Sequence, residues 1–212
     1  MRSHYTIPFF IPHEGCPFSC IFCDQNKITG QADAVKPGGV APKIRSYLKT
    51  IPKKGARVEV AFFGGSFTGL GKDLQCSYLE KVAPFLRSGA IDGIRVSTRP
   101  DFIDLETLKM LKRYGVKRVE LGVQSMSESV LKKALRGHTF QDIERASSLI
   151  LNSRLRLGHQ LMIGLPGSTL RHEIASAMKS IRMGASEVRI YPLVVIKGTP
   201  LEKMWKSGAY IP

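Results

Sequence analysis

The sequence is short of several things, and each shortage closes a class of function. No run of about eighteen apolar residues exists, so no membrane span is expected. The opening MRSHYTIPFFIPHEGC has only a short apolar stretch broken by prolines. It lacks the long apolar centre and small-residue cleavage site of a secretion signal. There is no RGG tract, no acidic tail and no low-complexity segment. Cysteine is scarce, four in 212 residues, which argues against a disulfide framework. A cytoplasmic protein forming a single domain over residues 1–212 is the expectation.

Acidic residues are also few: 17 Asp and Glu stand against 32 Lys and Arg, a net charge of +15. A polyanionic partner such as RNA is one reading of that excess. A solvated basic surface is the other, because the charges are dispersed over several helical stretches (Lys109, Lys112, Arg113; Lys132, Lys133; Lys179, Arg182). Charge alone leaves both open.

What is present is a regular alternation of short apolar runs and amphipathic stretches. Strands are expected at Thr6–Ile11, Arg57–Phe63, Gly93–Ser97, Arg118–Val123, Leu157–Ile163 and Glu187–Leu193. All are rich in Val, Ile, Leu and Phe, as for strands buried on both faces. Helices are expected at Ala41–Thr50, Lys72–Arg87, Leu105–Tyr114, Ser127–Leu135, Phe140–Asn152 and Leu170–Met183. Asp104 and Ser127 are N-cap types, Thr139 with Asp142 resembles a capping box, and Gly115 and Gly184 sit where C-cap glycines belong. About six strand–helix units fit, against eight for a closed barrel. The expected fold is α/β: an open, partial (β/α)6 TIM-like barrel of parallel strands, with an open doubly wound sheet as the alternative.

In either architecture ligands gather at the C-terminal ends of the strands. The unusual loops all fall there. The stretch GCPFSCIFC follows the first strand, FFGGSF the second, STRP the third, GVQ the fourth and IGLPG the fifth, while Tyr191-Pro192 ends the sixth.

Three of the cysteines, Cys16, Cys20 and Cys23, share one C-x3-C-x2-C loop. A structural zinc clip typically takes two ligand pairs, and no second pair follows. Cys76 lies in a helical run and reads as a small core residue; His13 is nearer, but a histidine beside a strand end reads as structural. A redox pair of Cys20 and Cys23 leaves Cys16 unused. Three thiolates suit a [4Fe–4S] cluster, which normally takes four, and the vacancy is an open metal position for a small molecule.

With an aromatic residue, Phe22, before its last cysteine, this loop resembles the signature of the radical S-adenosylmethionine superfamily. The resemblance implies that Cys16, Cys20 and Cys23 hold the cluster and that its open iron binds the amino and carboxylate groups of S-adenosylmethionine. It continues down the chain in order. FFGGSF is similar to the glycine motif that cradles the methionine amino group, implicating Gly64, Gly65 and Ser66, with Ser66 in place of the usual acidic residue. VSTRPD resembles the ribose-contacting strand end and implicates Ser97. ELGVQS followed by RGHT resembles the Gln–Arg pair of this group, so Gln124 and Arg136 are candidates for the ribose or the methionine carboxylate. QLMIGLPG resembles the adenine-binding segment, implicating Gln160, Ile163, Gly164 and Leu165. More narrowly, TRPD, VELGVQS, LRGHT and IYPLVVIKGTPL resemble the branch like the Elongator catalytic subunit, and less closely the oxygen-independent coproporphyrinogen oxidases. Two departures stand out: a compact cysteine spacing, and the expectation that neither an acetyltransferase domain nor the usual C-terminal extension follows Pro212.

The activity so implied is reductive cleavage of S-adenosylmethionine to methionine and a 5′-deoxyadenosyl radical, with the electron from a ferredoxin or flavodoxin. The radical would take hydrogen from a substrate that the motifs do not name, with tRNA favoured by the resemblance and the charge together. A small-molecule substrate, a non-catalytic metal-stabilised RNA-binding module and a truncated, poorly active core are the alternatives.

Overall fold

The computed structural model describes residues 3–11, 14–17, 20–30, 35–52 and 55–212. Among them run six strands: β1 (Ser3–Ile11), β2 (Ala56–Gly64), β3 (Gly93–Thr98), β4 (Val116–Gln124), β5 (Arg156–Ile163) and β6 (Glu187–Pro192). They pair in sequence order, every neighbour parallel. A doubly wound sheet needs a reversal of strand order, its switch point. Here the order never reverses, so right-handed crossovers lay the helices on one face of a curled sheet. The fold is the open partial barrel.

The helices are α1 (Gln25–Thr29), α2 (Pro37–Leu48), α3 (Lys72–Arg87), α4 (Leu105–Arg113), α5 (Glu128–Lys133), α6 (Phe140–Asn152), α7 (Leu170–Arg182) and α8 (Pro200–Lys206). Their starts follow local chemistry. Asp104 accepts from the Thr107 N–H, and Thr139 with Asp142 closes a full capping box on α6. Gly115 and Gly184 take left-handed φ values of 82° and 83° just past α4 and α7. Three local expectations fail. Ser127 precedes α5 but makes no capping hydrogen bond. The second helix starts at Pro37, not Ala41, because proline fits the first turn, where no N–H is needed. Leu105, expected on the apolar stripe with Leu108 and Leu111, opens α4 and is 53% exposed.

The strands also differ from the expectation of two apolar faces. Residues of alternate parity point to opposite sides. One side carries Ile7, Phe9, Val60, Phe62, Val96, Val119, Leu121 and Leu157, all in the main core beneath the helices. The other, concave side is an ion-pair lattice. Arg118 lies 3.6 Å from Glu59 and 2.8 Å from Glu187, and Arg95 pairs with Glu120. A barrel that does not close has room on its concave side for solvent and ligand, so charge is tolerated there when each ion has partners.

Candidate cofactor site

A cavity of about 460 Å³ opens at the C-terminal ends of the strands. Cys16 and Cys23 from the loop after β1 line it, with Phe22, Gly64 and Gly65, Ser97, Gln124, Arg136 and Gln160. Nine of the expected residues therefore meet in one place, although they come from segments far apart in the chain. Cys20 is buried just behind them, accepting from Arg136 Nη1 at 3.1 Å.

Four others stand elsewhere. Ser66 is fully buried, and its hydroxyl is taken by Thr98 Oγ1 at 2.8 Å and by the Arg99 N–H at 3.2 Å. Leu165 packs into a small second core with Cys20, Phe22, Leu201 and Tyr210. Gly164 donates to Glu173 and accepts from the Tyr210 hydroxyl. Ile163 lines a minor cleft with Gln124 and Glu173. Cys76 is half-buried on α3 and does not line the cavity, and His13 lies outside the described residues.

Tyr191, expected on this rim, lines the cavity, which has further walls that motif reading overlooked: Phe10, Gln25, Phe63, Met162 and Arg189. Most lie on the concave parity of their strands, so strict alternation along the strands was the available signal. Phe10 and Phe63 face each other with ring centroids 6.1 Å apart, and the Arg189 guanidinium lies 5.3 Å from the Phe63 ring.

Backbone geometry fixes the cysteine loop. Gly65 donates to the Ile11 carbonyl and Ser66 to the Glu14 carbonyl, both at 2.9 Å. A Cβ on Gly65 would strike the Glu14 carbonyl, and one on Gly15 would strike that of Ser66. The glycines thus serve loop-to-loop docking as well as any ligand. At the end of β4 the register slips, and Gln124 adopts φ 67°, a strained left-handed conformation that turns its amide toward the cavity rim.

Electrostatics sharpen the site. Burial raises the Cys16 thiol, against which Arg136 and Arg99 pull down. Cys23 is pushed up to about 11 by burial first and then by Cys20 and Cys16. His138 is held down to about 3, by burial and then by Arg136, so it stays neutral with Nε2 at 3.3 Å from the Val123 carbonyl.

The Radical SAM superfamily profile matches residues 10–179. The chain belongs to the radical SAM superfamily. Among curated proteins, a tRNA uridine(34) acetyltransferase from Dehalococcoides mccartyi is 27% identical over 93% of this chain and 50% of its own length. The heme chaperone HemW of Bacillus subtilis is 30% identical over 98% of this chain and 54% of its own. This radical SAM chain spans about half the length of such relatives. Among solved structures, archaeal Methanocaldococcus infernus Elp3 superposes with TM-score 0.74 at 24% identity, covering 100% of this chain and 51% of that one. The Escherichia coli coproporphyrinogen III oxidase HemN gives 0.63 at 18% identity, covering 98% of this chain and 51% of that one. These two likenesses bear on the fold, which this chain shares with both.

The residues fit the cofactors that the family implies. Cys16, Cys20 and Cys23 supply three sulfur donors from one loop, the donor chemistry that an iron–sulfur cluster takes. Two buried polar atoms beside the cysteines lack partners, Gln124 Oε1 and Arg136 Nε. The described residues hold other such orphans, but these two belong to side chains that line the cavity, where a bound polar group would satisfy them. The cysteine loop, the glycine turn, the Arg136 guanidinium and the Gln124 and Gln160 amides all line this one cavity.

Proposed function

We propose that the protein is a radical S-adenosylmethionine enzyme of RNA, with tRNA as the substrate class. Cys16, Cys20 and Cys23 would hold a [4Fe–4S] cluster, and S-adenosylmethionine would lie against Gly64, Gly65, Ser97, Gln124 and Gln160. A cluster held there would supply, once reduced, the electron for splitting the sulfonium into methionine and a 5′-deoxyadenosyl radical.

The protein's part is to bind, orient and exclude water. Arg136 anchors the cysteine loop through Cys20 Sγ, and its free Nε offers one more donor for a carboxylate. Phe22 packs with Cys20 in the small core and shields the loop on that side. The electron would come from a ferredoxin or flavodoxin. The single observation carrying this reading is the gathering of the cysteine loop and the orphaned Gln124 and Arg136 atoms around one cavity.

The tRNA reading rests on the relatives named above and on the +15 charge. The half-buried Phe10–Phe63 pair and Arg189 offer faces for an unpaired base. The test is anaerobic reconstitution with iron and sulfide, then dithionite and S-adenosylmethionine. 5′-Deoxyadenosine should form, and Cys20→Ala should abolish it; no product from the wild type would sink the proposal. Affinity for bulk tRNA should fall steeply between low and moderate salt. A flat response would remove nucleic acid as substrate.

A further inference from the structure

Glu120 lies under the cavity on the concave side of β4 and is 1% exposed, yet the reading above gives it no role. Its Oε1 is held by Arg95 Nη2 and, at 3.3 Å, by Arg189 Nη2. Its Oε2 accepts from Gln160 Nε2 at 3.0 Å and lies 3.5 Å from Ser97 Oγ. Gln160 Nε2 makes a second bond, to Ser97 Oγ, also at 3.0 Å. Gly158 keeps the space open: a Cβ there would meet Glu120 Cγ at 3.0 Å.

A primary amide has two N–H donors and one carbonyl acceptor. Ser97 and Glu120 take both donors of Gln160, so Oε1 is the polar atom left to meet a ligand. A carboxylate flanked by two guanidinium groups only accepts. Turning the amide over would set its oxygen against Glu120 Oε2, so the carboxylate decides which way Gln160 faces.

We infer that Glu120 is a positioning residue that presents Gln160 as an acceptor, so that this point of the cavity selects a ligand bearing a sugar hydroxyl. The inference rests on the S-adenosylmethionine reading, in which that hydroxyl belongs to the ribose. Gln124 Oε1, buried and without a partner, provides a second acceptor on the neighbouring strand end. Two acceptors suit a vicinal diol, whose hydroxyls each bring a donor. A ligand lacking one hydroxyl would leave an acceptor unmatched.

The experiment measures equilibrium binding of S-adenosylmethionine and its 2′-deoxy and 3′-deoxy analogues to the anaerobically reconstituted protein. The wild type should prefer the parent over at least one analogue by about tenfold, the loss of roughly one hydrogen bond. In Glu120→Gln the facing amide can donate or accept, Gln160 is free to turn, and the preference should shrink to about twofold or less. The shrinkage should come from weaker binding of the parent, with the analogue little changed. Glu120→Asp keeps the charge opposite Arg95 and Arg189 while drawing the carboxylate back from Gln160. It should show the same collapse and guards against misfolding of the first variant. Equal weakening of all three ligands, or a preference intact in Glu120→Asp, would overturn the inference. So would a wild type that binds the parent without discrimination. Failure of the wild type to bind any of the three would instead strike the cofactor reading.

Discussion

Arg136 and Cys20 are separated by 116 positions, yet Arg136 Nη1 donates to Cys20 Sγ at 3.1 Å. The same guanidinium donates through Nη2 to the Gly122 carbonyl at 2.6 Å. One side chain thus ties the turn after α5 to both the cysteine loop and the end of β4. Lysine keeps the charge but lacks the planar fork that spans two acceptors. Arg136→Lys should lower the iron and sulfide retained per chain after reconstitution, and Arg136→Gln should lower them further. Affinity for S-adenosylmethionine should fall about tenfold, some 1.4 kcal/mol. Equal cluster content in all three proteins would show that the bond is incidental.

The docking of the two loops makes a second prediction. Gly65 has no room for a methyl group, since Ile11 O would lie 2.6 Å from it and the Glu14 carbonyl closer still. Gly65→Ala must push the cysteine loop away from the glycine turn, at an overpacking penalty of about 1–3 kcal/mol. Thermal unfolding should show the loss, and cluster retention should drop with it. Gly71, with nothing near its own Cβ position, is the control for crowding: Gly71→Ala at the N-cap of α3 should leave cluster retention unchanged.

These contacts mark the limit of what sequence alone conveyed. The element order was readable because capping residues bracket the helices, as Asp104 and Thr139 do, and because each strand carries apolar residues on at least one face. The site was readable because a parallel sheet brings all strand C-termini to one rim, so that motifs spread from Cys16 to Gln160 converge. The polar concave face was not read, although Arg118 and Glu120 alternate with Val119 and Leu121 at period two. Within each short strand the apolar residues outnumber the charged ones, which masks that alternation. Helices α1 and α8, of 5 and 7 residues, are too short to show a helical period. Only Thr199, accepting from the Glu202 N–H, and Pro200 in the first turn signalled α8. Ser66, Gly164 and Leu165 were placed by resemblance, and their distance from the cavity depends on side-chain and loop geometry that no motif encodes.

Phe62 tests the other side of the sheet. It is fully buried, with ring centroids 5.5 Å from Phe9, 5.0 Å from Phe67 and 5.6 Å from Tyr78. It joins β1, β2, the turn after β2 and α3 in one aromatic cluster. Phe62→Ala should destabilise the fold by about 3–5 kcal/mol, through lost burial and the void left behind. Neighbouring Phe63 faces the cavity instead and is only half-buried. Phe63→Ala should cost clearly less in unfolding free energy while weakening substrate binding. A reversed order of the two stabilities would contradict the assignment of faces.

His159 predicts how stability responds to acid. It sits buried between β5 and α6, with Nε2 3.0 Å from Ser147 Oγ, and that hydroxyl already donates to the Ile143 carbonyl. The imidazole must therefore be the donor at Nε2, and its buried Nδ1 has no partner. Burial lowers its pKa from 6.5 to about 4. The unfolded chain thus takes up the proton first as pH falls. Stability from this group is complete above about pH 6.5 and is lost as pH drops toward 4, up to about 3 kcal/mol. His138, held near 3, acts in the same direction and extends the loss to lower pH. His159→Leu should flatten the fall in unfolding free energy between pH 6.5 and 4 without removing the His138 share. Urea titrations at half-unit intervals would read the slope, and a variant as acid-sensitive as the wild type would show that the buried imidazole is not its source.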